Sequence, residues 1–201
     1  MVTKEDFQRR LANACRSVRD AEAELTEIDS KFGDADHGYT MTKVCNAIEE
    51  AVKTSEGGIK EMLDDAATAV MELNGGSAIP LWNTWIDAMQ EAAPESRDIS
   101  EAELKEMFRA ALEELDDFSG AKEGDKTMMD ALIPATRALC AAEGGASEIF
   151  RQAADAAVSG AEATKNFVAK FGRAKSYGTK TIGTPDAGAL SMSRFFVGLA
   201  E

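Results

Sequence analysis

Residues 7–28 read FQRRLANACRSVRDAEAELTEI, and their apolar side chains recur at alternating intervals of four and three residues. This spacing is typical of an amphipathic α-helix, because it places about one apolar residue per turn on the same side. The positions are Phe7, Leu11, Ala14, Val18, Ala21, Leu25 and Ile28. The stretch therefore predicts one long first helix that buries this stripe in a core.

Similar apolar periods follow along the whole chain, separated by polar, glycine-bearing breaks. They occupy residues 41–52, 59–73, 81–89, 104–115, 128–139, 149–167 and 190–199. No segment alternates apolar and polar residues with the period of a β-strand. The sequence thus predicts a single all-α domain over residues 1–201, in which eight antiparallel helices run up and down as a bundle or barrel. In that topology the loops after helices 1, 3, 5 and 7 share one end, where a binding site is expected.

Composition excludes several classes of partner. The chain has 22 Lys and Arg against 36 Asp and Glu, a net charge of −14, which argues against binding to nucleic acid or to an anionic membrane. It contains no run of 18 apolar residues and no apolar segment near Met1. Its three cysteines are far apart and form no CxxC pair, which argues against a disulfide framework or a zinc site. We expect a cytoplasmic protein.

The first polar loop, SKFGDADHG at residues 30–38, carries a cluster of carboxylates. Asp29, Asp34 and Asp36 lie close together in sequence, and three converging carboxylates repel one another unless a cation lies among them. Mg²⁺ and Ca²⁺ prefer such oxygen ligands, although a solvated acidic turn is the alternative. An EF-hand is excluded, because a 12-residue loop counted from Asp29 or Asp34 does not end on Glu. His37, the only histidine, is either an exposed turn residue or a contact to phosphate.

The other loops offer weaker signals. Gly75-Gly76-Ser77 precedes a helix and is either an anion site at its N-terminus or a turn with a Ser cap. GAKEGDKT at residues 120–127 is not a P-loop, because Asp125 separates the second glycine from Lys126. Lys126 either meets phosphate or pairs with an acidic neighbour. Residues 172–188 collect Arg173, Lys175 and Lys180, which suit a phosphate or form a solvated loop.

Taken together, these segments resemble the signatures of a known kinase family. The matching stretches are LTEIDSKFGDADHGYTM at 25–41, GGS at 75–77, GDKTMMDALIP at 124–134, GRAKSY at 172–177 and TIGTPDAG at 181–188. In this order they resemble the ADP-binding L subunit, or Dak2-type domain, of dihydroxyacetone kinases. The resemblance implies an eight-helix antiparallel barrel that binds ADP or ATP at one end through two Mg²⁺ ions.

The resemblance also implies roles for individual residues. Asp29, Asp34 and Asp36 would be the metal ligands and the catalytic carboxylates. The residues implied to bind nucleotide are His37, Gly38, Tyr39, Thr40, Gly76, Ser77, Ala78, Gly120, Met128, Arg173, Asp186, Ala187 and Gly188. Among these, Met128 would border the adenine, and Ser77 would face the phosphates.

In such kinases the ketose is held by a separate K subunit or domain, which would be the partner of this chain. The phosphoryl donor is either ATP or an ADP coenzyme that a phosphotransferase-system phosphoprotein recharges. Three departures from the family's usual pattern stand out: GGSAI replaces GGxSG, Thr40 replaces an Asn, and DAG replaces DPG. They favour a divergent branch acting on another triose or tetrose ketose. The alternatives are a non-catalytic nucleotide-sensing paralogue and an acidic helical interaction module.

Overall fold

The computed structural model describes residues 1–201 and contains helices as its only regular elements. The α-helices are α1 (Lys4–Asp20), α2 (Glu22–Asp29), α3 (His37–Thr54), α4 (Ile59–Met71), α5 (Ala78–Ala92), α6 (Glu101–Ser119), α7 (Met129–Ala141), α8 (Ala146–Ala163) and α9 (Ala187–Ala200). Two 3-10 segments, Thr164–Asn166 and Arg173–Thr181, lie between α8 and α9. The only β pairing is an isolated bridge between Val2 and Ile99. No helix combines the length and apolar composition that a membrane span requires.

The helices close into a barrel. From α3 to α9 each helix packs on the next one along the chain, and α1 packs on both α3 and α9. Eight helices thereby form a ring, with α2 as a short extension of α1 that packs on α3. The prediction of an all-α, eight-helix antiparallel barrel is confirmed.

The prediction of one continuous first helix is wrong at Ala21. There the chain leaves helical geometry (φ −92°, ψ 3°), and α2 begins at Glu22. The apolar stripe continues across the break, with Phe7 and Leu25 both fully buried. Next to the break, a Cβ on Gly38 would lie 2.2 Å from the Glu22 carbonyl oxygen, so α3 packs on the first turn of α2 backbone to backbone.

Other helix ends also differ from the sequence prediction. α4 ends at Met71 and α8 at Ala163, whereas the apolar periods continue to residues 73 and 167. Leu73 still packs against the core as a partly buried residue beyond its helix. Apolar periodicity records which side chains are buried, and burial can continue after the helical backbone has ended.

Aromatic side chains fill the interior of the barrel. Trp82 and Trp85 of α5 pack edge-on against Phe195 of α9, with ring centroids 5.1 and 5.7 Å apart. Phe108 of α6 contacts Trp85 at 5.9 Å. These rings bury large apolar areas from helices on opposite sides of the ring, and they make the barrel a packed core rather than a channel. The rigid core holds the loops at its end in fixed positions.

Candidate functional site

A cleft of about 370 Å³ opens at one end of the barrel. Its walls come from the loops that follow α2, α4, α6 and α8, as expected for alternate loops of an up-and-down topology. The lining residues are Ile28, Asp29, Phe32, Gly33, Asp34, Asp36, His37, Thr40, Gly76, Ser77, Ala78, Leu81, Trp82, Lys126, Thr127, Met128, Phe171, Gly172, Arg173, Ala174, Pro185, Asp186, Ala187 and Gly188. The volume lies in the range of small-molecule and cofactor sites.

The three predicted carboxylates meet in this cleft. Oxygen atoms of Asp29, Asp34 and Asp36 all lie within 4.8 Å of one another. Asp29 ends α2, and its Oδ2 accepts hydrogen bonds from the backbone N–H of Asp36 at 3.1 Å and of His37 at 3.4 Å. Between the other two, Ala35 adopts a left-handed backbone (φ 59°), which turns the chain back at the tip of the loop. Asp34 and Asp36, which follow Asp29 by five and seven residues in the sequence, are thus brought into one cluster with it.

The electrostatics of this cluster favour a cation. Burial raises the pKa of the Asp36 carboxyl, and repulsion from Asp34 and Asp29 raises it further. Arg173, from the loop after α8, forms an ion pair with Asp34 at 2.6 Å and so joins two cleft walls. An all-oxygen donor set whose three negative charges are only partly balanced by Arg173 suits Mg²⁺ or Ca²⁺. These residues fit a hard divalent cation.

His37 is not an exposed turn residue. It begins α3, and its Nε2 lies 3.1 Å from the Ser191 hydroxyl of α9. Burial lowers the pKa of the imidazole. His37 therefore links the acidic loop to α9 and presents part of its surface to the cleft.

The Gly76–Ser77 segment lies beside the start of α5. Ser77 is at the N-cap position of this helix, but its side chain makes no capping hydrogen bond. The structure thus gives no support to the Ser-cap interpretation. The first N–H groups of α5 have no carbonyl partner within the helix, and they lie beside the cleft, where an anion can bind.

The GDKT segment is not a P-loop, as its spacing predicted. Lys126 is 5 % exposed, and its ammonium group donates to the carbonyl oxygens of Thr164 and Thr184, each at 2.6 Å. The sequence had indicated phosphate or an acidic side chain as its partner, and its carbonyl partners, from segments distant in sequence, were not predicted. The carboxylate of Asp130 accepts hydrogen bonds from the backbone N–H of Gly124 and Thr127, and its burial was also missed.

Three residues that the resemblance assigned to the nucleotide lie outside the cleft. Gly38 is buried against the Glu22 carbonyl, where it permits close helix packing. Tyr39 is 61 % exposed, with the Lys43 ammonium group 5.1 Å from its ring centroid. Gly120 ends α6 in a left-handed conformation (φ 63°). For these three residues the structure indicates packing, surface and helix-end roles.

Several apolar cleft residues were missed by sequence analysis. Phe32 and Phe171 lie in polar loops, and Leu81 and Trp82 lie on the first turns of α5. Aromatic residues within otherwise polar, glycine-bearing loops were a usable signal for a ligand wall. Trp82 gave no such signal, because its spacing on α5 matched that of a core residue.

Asp186 combines a structural role with an unusual ionisation. It is the N-cap of α9, where its carboxylate accepts from the N–H of Ala189 at 2.8 Å. Burial raises its pKa to about 7, against the lowering effect of the Ala189 hydrogen bond. The negative charge of Asp130 raises it and the positive charge of Lys126 lowers it.

This raised pKa predicts a pH-dependent stability. Because the folded-state pKa lies above the unfolded value near 3.8, the contribution is fully present below about pH 4 and is lost as the pH rises to about 7. Asp186→Asn keeps an oxygen that can cap α9 but cannot ionise. Measured by urea denaturation, the unfolding free energy of the wild type should fall by about 2 kcal/mol more than that of this variant between pH 5 and pH 8. Parallel pH profiles of the two proteins would contradict the assignment.

Sequence comparisons identify relatives of the whole chain. The sequence profile of the DAK2 domain matches residues 31–201. D-erythrulose kinase of Mycolicibacterium smegmatis is 36% identical over 183 residues, covering 88% of this chain and 32% of that protein. The ADP-binding subunit DhaL of the PEP-dependent dihydroxyacetone kinase of Escherichia coli is 28% identical, covering 89% of this chain and 87% of the subunit. The chain thus spans about a third of the length of the erythrulose kinase.

A solved structure shares the fold. The native form of the dihydroxyacetone kinase of C. freundii superposes with a TM-score of 0.76 at 24% sequence identity, covering 96% of this chain and 34% of that one. The same kinase has also been solved in complex with AMP-PNP and Mg²⁺. The profile match over residues 31–201, supported by these relatives, shows that the chain belongs to the DAK2 domain family.

Proposed function

We propose that this chain binds a magnesium nucleotide, ADP or ATP, and presents its phosphoryl group to a small ketose held by a partner protein. The observation that carries the proposal is the convergence of Asp29, Asp34 and Asp36 in a cleft of cofactor size. The named activities of the relatives, erythrulose kinase and dihydroxyacetone kinase, support the same reaction class.

The acidic cluster is the proposed metal centre. Its three carboxylates can supply oxygens to two Mg²⁺ ions, with phosphate and water completing each coordination shell. Bound magnesium would neutralise charge that develops on the transferred phosphoryl group and would align its oxygens. Asp29 is held by two backbone N–H groups, so it is oriented before any ligand binds.

The remaining cleft residues are proposed to bind the nucleotide. Arg173 and the N-terminus of α5 at Gly76–Ala78 are positioned to meet phosphate oxygens, because both present N–H donors with positive or partial positive charge. The apolar side chains of Met128, Phe32 and Phe171 offer surfaces for the base. The other proposed contacts are His37, Thr40, Ser77, Asp186, Ala187 and Gly188, all of which line the cleft.

The ketose is proposed to come from a K-type subunit. A relative named as an ADP-binding subunit is covered over 87% of its length, which supports a division of labour between nucleotide and sugar. Which ketose is used depends on that partner. A cytoplasmic location accords with the free thiols of all three cysteines.

A coupled phosphoryl-transfer assay tests the proposal. The chain is mixed with a K-type subunit, Mg²⁺ and either dihydroxyacetone or erythrulose, and the phosphorylated ketose is measured with ATP as the donor. A single turnover from bound ATP without sustained turnover would indicate that ADP is recharged by a phosphotransferase-system phosphoprotein. Transfer that does not require this chain would contradict the proposal.

A second candidate is a nucleotide-sensing subunit without transfer activity. It is favoured by the GGSAI loop, where Ile79 is 5 % exposed and packs under Gly75 in place of the family's usual glycine. Magnesium-dependent nucleotide binding without any phosphoryl transfer would support this candidate. Sustained transfer would exclude it.

A further inference from the structure

A largely buried polar cluster centred on Lys126 lies in the wall of the cleft and connects three of its segments. Lys126 belongs to the loop before α7, and its ammonium group reaches the carbonyls of Thr164, just after α8, and of Thr184, just before α9. The Thr164 hydroxyl in turn accepts from the backbone N–H of Asp186 at 2.9 Å. Segments far apart in sequence are therefore joined through one side chain.

The loop that carries Lys126 is itself held in an uncommon shape. Lys126 has a left-handed backbone (φ 63°), which a residue with a side chain seldom adopts without a compensating interaction. Asp130 supplies that interaction by accepting from the N–H groups of Gly124 and Thr127 on either side. The backbone donors that a phosphate-binding loop would offer to a ligand are here taken by the protein's own carboxylate.

The segments that Lys126 joins also approach each other at the cleft surface. A Cβ added to Gly188 would lie 3.4 Å from the backbone nitrogen of Met128 and 3.5 Å from its Cβ. The wall formed by Met128 and the wall formed by residues 185–188 therefore face each other at close range, and the bond from Lys126 to the Thr184 carbonyl joins the segments that carry them.

Two of the three ammonium donors of Lys126 are committed to backbone carbonyls. Burial lowers the pKa of this amine, and the nearby charges of Asp186 and Asp130 partly offset that effect. An amine held in this way is fixed to the protein rather than free to follow a ligand. Loss of the amine would leave the Thr184 carbonyl unpaired and the Thr164 carbonyl with only the N–H of Phe167, which a structure relieves by shifting the backbone to admit water.

We propose that Lys126 is a positioning residue that holds the Met128 wall against the wall of residues 185–188, and that it raises nucleotide affinity through this geometry. The inference rests on the proposed function, because it concerns affinity for the magnesium nucleotide. The sequence leaves Lys126 to either a phosphate or an acidic neighbour, whereas in the structure its amine binds two backbone carbonyls while its side chain lines the cleft.

The test compares Lys126→Met with a matched control at the other end of the barrel. Lys4 is 4 % exposed, and its ammonium group donates to the Ser55 carbonyl at 2.7 Å, so Lys4→Met also removes a buried lysine-to-carbonyl bond. The affinity for MgADP is measured by calorimetry, and Tm is measured for both variants. Lys126→Met should weaken MgADP binding about tenfold or more, whereas Lys4→Met should lower Tm but change affinity less than about twofold.

A milder variant covers the case in which Lys126→Met does not fold. Thr164 is fully buried and does not line the cleft, so Thr164→Val removes the acceptor for the Asp186 N–H without touching a bound nucleotide. A several-fold loss of MgADP affinity is expected, because the wall that starts at Pro185 loses one of its buried attachments.

The outcomes separate the two proposals. If the wild type binds no MgADP, the proposed function fails and this inference fails with it. If the wild type binds and Thr164→Val binds equally well, only the positioning role is overturned, because Lys126 lines the cleft and a loss in Lys126→Met alone would indicate a direct contact to the nucleotide. An affinity loss in Lys4→Met as large as that in Lys126→Met would also overturn it, because the effect would then follow from reduced stability alone.

Discussion

An Asp36→Asn variant is expected to lose affinity for MgADP by about 100-fold or more while its metal-free form keeps or exceeds the Tm of the wild type. The two effects have one cause. Burial raises the pKa of the Asp36 carboxyl, and repulsion from Asp34 and Asp29 raises it further. Removing one charge relieves the repulsion in the free protein, but it also removes a ligand and a charge that a divalent cation needs.

A loss of MgADP affinity without a loss of Tm distinguishes a metal-binding site from a cluster that only stabilises the fold. Asp36 is at the N-cap position of α3, but its side chain makes no capping hydrogen bond, so the variant loses no helix cap. Asp155→Asn is a matched control, since it removes the same charge from an exposed position on α8 where the only partner is Arg151. Affinity is measured by calorimetry and Tm by thermal unfolding. A lower Tm with unchanged affinity would contradict the assignment of Asp36 as a ligand.

A Gly198→Ala variant is expected to lose about 3 kcal/mol of unfolding free energy, the largest stability effect that we predict. The added Cβ would lie 2.4 Å from the Cα of Ala14 and 2.5 Å from the carbonyl oxygen of Asn13. Both atoms belong to the backbone of α1, so no side chain can rotate away. The helices must separate where α9 closes the barrel on α1.

Gly145→Ala provides the control for this effect. Gly145 precedes α8, and a Cβ there would meet no atom within 4 Å. Its substitution should lower the unfolding free energy by less than about 1 kcal/mol, because Gly145 is the N-cap of α8 and an N-cap favours glycine over alanine. Urea unfolding of both variants gives the comparison, and Tm of Gly198→Ala should fall by about 10 °C. Equal stability of the two variants would mean that α1 and α9 are not in backbone contact.

The fold could be predicted because the spacing of apolar residues indicates which face of each helix is buried. The stripe from Phe7 to Leu25 and the interior face of α5 with Trp82 and Trp85 are buried as their periods indicate. An up-and-down topology places alternate loops at the same end of the barrel. This alone predicts that Asp29 and Arg173, which are 144 positions apart in the sequence, lie in the same cleft, as they do.

The features that could not be predicted depend on contacts between segments. The break at Ala21 carries no glycine or proline, and it lies beside the close approach of Gly38 to Glu22 from another helix. The amine of Lys126 binds carbonyls that are 38 and 58 residues away in the sequence.

Gly38 and Gly120 lie in or near family motifs but outside the cleft. Helix packing explains the position of Gly38, and a left-handed helix end explains that of Gly120. A motif residue can serve the loop that holds a site without lining it.

Calorimetric titration of the wild-type chain with ADP, in the presence of Mg²⁺ and in the presence of EDTA, tests the central claim most directly. Carboxylates repel phosphate unless a cation lies between them, so an acidic cleft in a chain of net charge −14 should bind the nucleotide only with metal. We predict saturable binding at one site per chain with Mg²⁺ and none in EDTA. Binding of equal strength in EDTA, or no binding under either condition, would contradict a magnesium-nucleotide site on Asp29, Asp34 and Asp36.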